Sequence, residues 1–218
     1  MKKIFKLALH ESHIWYKLFL GFCSIFYTCG MLLNDSNETV NEDIFGTVLI
    51  LIGCNTILDV VIMCVNGNSD IKLLKTLPLT SGNITDTFAV STYMGVPIIS
   101  LGVSVWHIVF GKAYMIPYFV CAFMISAAFG TVIMPLLVSE PCVMSGARRF
   151  TPRNVSLSLI LIFASVAAGT LLCLKGYKNS CFVVEDVPML IGIFAACIVL
   201  SMIITAVYRK KVKYRTAG

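Results

Sequence analysis

The sequence predicts an all-α, polytopic membrane protein: six transmembrane helices, an N-terminal interfacial helix and a short cytoplasmic helix, with both termini cytoplasmic. Three observations predict it. Of 218 residues, 58% are hydrophobic and only 13% charged, too little polar surface for a soluble domain of that length. Apolar runs of about twenty residues recur, each long enough to cross the roughly 30 Å hydrocarbon layer as a helix. The basic residues gather at the ends of those runs on one side. Counted along the predicted loops, fourteen Lys and Arg fall on one face and three on the other. That asymmetry sets orientation, because basic segments stay cytoplasmic.

Residues 1–13 form the interfacial helix. Lys3, Lys6, His10, His13 and Lys17 recur at alternating steps of three and four, which draws one polar stripe on a helix. Ile4, Phe5, Ala8, Trp15 and Leu18 face away from it. A basic stripe with an aromatic anchor lies in the membrane interface. The stripe accounts for His10 and His13 without a metal. No small-x-small cleavage site followed by a polar mature region marks a signal peptide.

The first span covers residues 14–33 and the second 44–65. Between them lies a loop with four acids and no base, containing an Asn37-Glu38-Thr39 glycosylation-type triplet. Residues 70–86 form the first large inner loop. The third span covers 87–110, with Gly95, Pro97 and Gly102 inside it. A short turn over 111–115 leads to the fourth span, 116–138. The inner loop 140–154 carries Arg148, Arg149 and Arg153. The fifth span covers 155–174, an outer loop 175–186 follows, and the sixth span covers 187–208. The tail is basic. The whole is one transmembrane domain, without an internal repeat. The net charge of +6 is accounted for by topology, so no nucleic-acid partner is expected.

Charge inside a membrane is costly and marks function by default. Asp59 lies in the second span, and Asn55 shares its face one turn away. The pair either lines a watery path through the bundle or anchors that helix near the inner interface. Trp106 and His107 fit an outer aromatic belt. Most of the nine cysteines sit in apolar runs, among them Cys23, Cys54, Cys64, Cys121, Cys173 and Cys197, where Cys behaves as a small hydrophobe. All nine read as structural, and none has zinc spacing. Enzyme motifs are missing: no G-x-x-x-x-G-K-[ST], no H-E-x-x-H and no G-x-S-x-G.

The inner loop 70–86 reads DIKLLKTLPLTSGNITD. Ile71, Leu74 and Leu77 fall three apart on one face of a short helix, with Lys72 and Lys75 on its flank. Pro78 stops that helix. Thr80, Ser81 and Asn83 each suit the N-cap of the helix that follows.

This loop, with the basic amphipathic start and six spans, resembles the type-2 ATP-binding-cassette (ABC) permeases, the membrane subunits of ABC exporters. Leu77, Pro78, Leu79 and Thr80 match that family's LP-[ILV]-[ST] turn. The family often continues with a base and an acid, where this chain has Ser81, Gly82 and Asn83. Its re-entrant outer helices have only residues 175–186 to occupy.

The resemblance implies a coupling helix whose ATPase contacts are Ile71, Leu73, Leu74, Lys75, Leu77, Pro78 and Leu79. It implies that ATP and Mg bind a separate ABC ATPase subunit, while this chain binds no cofactor. It implies pairing with a second copy or a homologous permease in a bacterial cytoplasmic membrane. The small relatives it resembles export antimicrobial or amphipathic peptides. Two other readings stay open: a membrane immunity or sensor protein that binds a peptide without pumping it, and an intramembrane enzyme using Asp59.

Overall fold

The computed structural model describes residues 81–109, 111–138, 152–179, 181 and 183–211. The interfacial helix, the first two spans with Asn55 and Asp59, and loop residues Ile71 to Leu79 lie outside the described residues. So do Arg148, Arg149 and the side chain of Trp106.

What is described is all helical. There are four long helices: α1 (Ser81–Val109), α2 (Ile116–Val138), α3 (Pro152–Asn179) and α4 (Val187–Lys211). Each contains a stretch long and apolar enough to cross a membrane. The chain is therefore a multi-pass, membrane-embedded helical protein. Helix α2 matches its expected bounds, and α4 begins where expected.

Several helix ends lie outside the expected spans. Helix α1 is already helical at Ser81, before the expected 87, and nothing in SGNITD breaks a helix. Its 29 residues span about 43 Å. Its apolar stretch begins only at Thr92, so about three turns precede the hydrocarbon. Helix α3 runs on to Asn179, taking up half of the expected outer loop. It starts on Pro152, where a missing N–H costs nothing because first-turn donors have no intrahelical partner.

The ends of the helices are built locally. Helix α1 stops in a Schellman motif. Gly111 N–H donates to the Ile108 carbonyl at 3.1 Å, and Lys112 N–H to the His107 carbonyl at 2.8 Å. Gly111 takes φ 68°, the left-handed region that glycine enters without a Cβ penalty. Helices α2 and α4 then begin alike. A single 3-10 turn (Ala113–Met115, Val184–Asp186) leads into a β-branched residue followed by proline.

Helix α2 is the centre of the described bundle. It packs against α1, α3 and α4, and 67% of its apolar stretch is buried, against 17% for α4. Tyr118, Phe119, Ala122, Phe123 and Ala127 are all buried on it. In lipid, apolar side chains gain nothing by leaving the solvent for one another. Association rests on close contact and on polar bonds, and small residues such as Ala122, Ala127 and Ala128 allow the close contact. Outward side chains (Leu101, Val105, Phe163, Leu171, Met202) are exposed and apolar, as a lipid-facing surface requires.

Candidate functional site

Three polar groupings join the four helices, and together they define two ends and a waist. The first end holds an ion pair between α1 and α4. Arg209 Nε donates to Asp86 Oδ1 at 2.6 Å, and its Nη2 donates to Oδ2. This is the bidentate geometry a planar guanidinium offers a carboxylate.

The waist joins α1, α2 and α4. The Tyr93 hydroxyl shares a 2.6 Å hydrogen bond with Ser201 Oγ and donates to the Cys197 carbonyl at 3.2 Å. Thr131 Oγ lies 3.4 Å from Ser201 Oγ and also bonds back to the Ala128 carbonyl at 2.7 Å.

The opposite end is a clamp around Asp186, a carboxylate that is only 5% exposed. Lys175 Nζ donates to Oδ1 at 2.5 Å, and the buried Tyr118 hydroxyl donates to Oδ2 at 2.5 Å. Asn179 Nδ2 donates to Oδ2 at 3.2 Å. Lys175 and Asn179 are one turn apart on α3, so both reach the same acceptor. One acid thus ties the α2 start, the α3 end and the turn before α4. Gly176 makes the approach possible: a Cβ there would stand 2.8 Å from Met115 Sδ and 2.9 Å from the Tyr118 ring. Nearby, Lys112 Nζ lies 5.6 Å from the Tyr177 ring centroid, within cation–π range.

His107 departs from the expected belt. It is 2% exposed, with its ring tilted 49° to that of Phe119 at a centroid distance of 4.7 Å and Nδ1 2.8 Å from the Val103 carbonyl. A buried imidazole needs such a partner, and the last turn of α1 supplies it.

These contacts fix the direction of each helix. Asp86 and Arg209 put the α1 start and the α4 end together. His107, Tyr118, Asn179 and Asp186 put the α1 end, the α2 start, the α3 end and the α4 start together at the far side. The four helices therefore alternate in direction.

None of the expected site residues is among the described ones: Asn55, Asp59, Ile71, Leu73, Leu74, Lys75, Leu77, Pro78 and Leu79 all precede Ser81. Sequence reasoning missed Asp86, Tyr93, Tyr118, Asp186 and Arg209. A signal for α1 was there. Asp86, Tyr93, Ser100 and His107 recur every seven residues, a spacing that keeps side chains close to one helix face. The first two meet α4, and His107 meets α2. Among the described residues no group of His, Cys, Asp and Glu could hold a metal ion, and Cys121, Cys173, Cys181 and Cys197 are free thiols.

Comparison with known protein families, with curated proteins and with solved structures finds no match to this chain.

Proposed function

We propose that this chain is the transmembrane subunit of an ABC exporter. It moves an amphipathic or antimicrobial-type peptide, or another hydrophobic cargo, out of a bacterial cell. A separate ATPase subunit holds ATP and Mg and supplies the drive, and a second copy or a homologous permease completes the path.

One observation carries the reading. Helix α1 begins at Ser81, directly behind the Leu77-Pro78-Leu79-Thr80 turn, and its sixth residue, Asp86, holds Arg209 at the end of α4. In this reading a push on the loop passes into α1, which follows it directly in sequence. Through the bidentate pair it reaches α4 as well. A coupling loop requires this, because work done by an ATPase must bias the spans between two packed states.

In this reading Ile71, Leu74 and Leu77 form the apolar contact face. Leu73, Lys75, Pro78 and Leu79 complete the grip. Asn55 and Asp59 are the candidates for the cargo path. The first end of the bundle, with Arg209, Lys210 and Lys211, is the cytoplasmic one, since basic flanks stay inside.

The test is co-purification from native membranes. The full chain is expected to bring down a P-loop ATPase, and Leu74→Asp with Leu77→Asp is expected to release it while membrane insertion persists. An ATPase that stays bound to the double variant contradicts the coupling role. A chain that never associates with one favours the peptide-binding immunity or sensor protein.

A further inference from the structure

Helix α4 is held unevenly along its length. At its start the Asp186 clamp ties it to α2 and α3, and Leu190 lies in the core at 5% exposed. There the Cys121 thiol faces the Leu190 carbonyl at 3.5 Å. At the waist, Ser201 is 5% exposed and bonded to Tyr93. Beyond Ser201 the pattern changes. From 202 to 210 no side chain is buried. Met202, Ile203 and Val207 are 68%, 55% and 43% exposed. Among the described residues, the Asp86–Arg209 pair ties these last turns to α1, with Arg209 itself 54% exposed, while Ile204, Thr205 and Tyr208 are half-buried.

Half-buried side chains give these turns less packing than the buried Leu190, Cys197 and Ser201 give the turns before them, and membrane helices depend on packing and polar bonds to associate. A segment with few buried contacts and a solvent-reachable tie opens at lower cost than the core to which it is attached.

We infer that residues 202–211 of α4 form a releasable arm, hinged at Ser201 and latched to α1 by Asp86–Arg209. When the pair parts, the arm swings from α1 and opens the seam between them at that end of the bundle. The Asp186 clamp and the waist hold the rest of α4 in place meanwhile. The inference stands on how α4 is packed and shares only the Asp86–Arg209 pair with the ATPase-driven reading; its test uses neither nucleotide nor ATPase, so failure of the one is distinguishable from failure of the other.

The probe is a cysteine at Thr205, a half-buried position one turn from Ser201 and one turn from Arg209, on the face they share. The full chain, reconstituted in lipid nanodiscs, is exposed to a water-soluble maleimide. Labelling is read peptide by peptide, which separates Thr205→Cys from the native thiols. Cys173, 0% exposed in the core, is the internal reference. With the latch intact, labelling at 205 is slow. Asp86→Asn is expected to speed it roughly five- to tenfold, the effect of losing a charge-assisted pair on the open fraction, with Cys173 unchanged. The exchange Asp86→Arg with Arg209→Asp is expected to restore slow labelling. Three results overturn the inference: no acceleration in Asp86→Asn, no recovery in the charge exchange, or a parallel rise at Cys173, which would mean that the whole bundle loosens.

Discussion

Gly176→Ala adds one methyl group where α3 passes close to Met115 and Tyr118. The new Cβ would sit 2.8 Å from Met115 Sδ and 2.9–3.0 Å from two atoms of the Tyr118 ring, where ordinary contact begins at 3.4 Å. Both neighbours are 0% exposed. The methionine can re-route its flexible chain. The tyrosine ring cannot, because its hydroxyl is fixed on Asp186 at 2.5 Å. Either α3 moves out or that hydrogen bond lengthens. Overpacking of this kind costs about 1–3 kcal/mol, a fall in melting temperature on the order of 5 °C for a chain of this size.

The matched control is Gly192→Ala on α4, where an added Cβ meets nothing within 4 Å. It is expected to melt at or slightly above the wild-type temperature, since alanine favours a helix over glycine. Melting is followed in detergent with a thiol-reactive fluorophore that reports Cys173 as the core opens. Combining Gly176→Ala with Tyr118→Phe should cost less than the two changes separately, because both act on one hydrogen bond. If Gly176→Ala melts alongside Gly192→Ala, the close approach is not what builds the clamp.

Two further outcomes follow from the waist and the clamp. Tyr93→Phe removes the hydroxyl that joins α1 to Ser201 and Cys197, and should destabilise by about 0.5–1.5 kcal/mol, the range for hydrogen bonds between membrane helices. A double-mutant cycle with Ser201→Ala checks it, and full additivity would mean that the bond is not formed. Tyr118→Phe should lower the melting temperature more than Lys175→Gln, because the tyrosine is wholly buried while the Lys175 side chain is 46% exposed and exposed ion pairs contribute little. The reverse order would make the ion pair, not the buried hydroxyl, the main tie.

Much of the architecture was legible in the sequence, and its misses have physical causes. The residues expected as the fourth span, 116–138, are one continuous helix, with Gly111 in the turn before it. Helix α4 begins at the Val187-Pro188 step, the residue where the sixth span was expected to begin. The helices that contain the expected third and fifth spans run on past them, into SGNITD before the third and KGYKN after the fifth. SGNITD and KGYKN are polar yet carry no breaker in helical context, and their side chains find partners: Asp86 on Arg209, Lys175 and Asn179 on Asp186. Asp186 itself read as one acid in an outer loop. That it is buried depends on Tyr118, 68 residues earlier, and no local pattern shows such a pairing. His107 looked like a belt residue because its position, not its partner, was visible. The heptad Asp86, Tyr93, Ser100, His107 was the one long-range hint on the page, and it lies in a helix read for apolarity alone.

The most direct test of the exporter reading replaces Lys75 with a photo-crosslinking residue, on the flank of the coupling face, in cells that express the chain from its own genome. Irradiation is expected to join position 75 to an ATP-binding subunit, with a yield that changes when ATP is depleted. A crosslinker at 75 that captures only lipid, while the protein remains folded in the membrane, would contradict the claim that this loop is gripped by an ATPase.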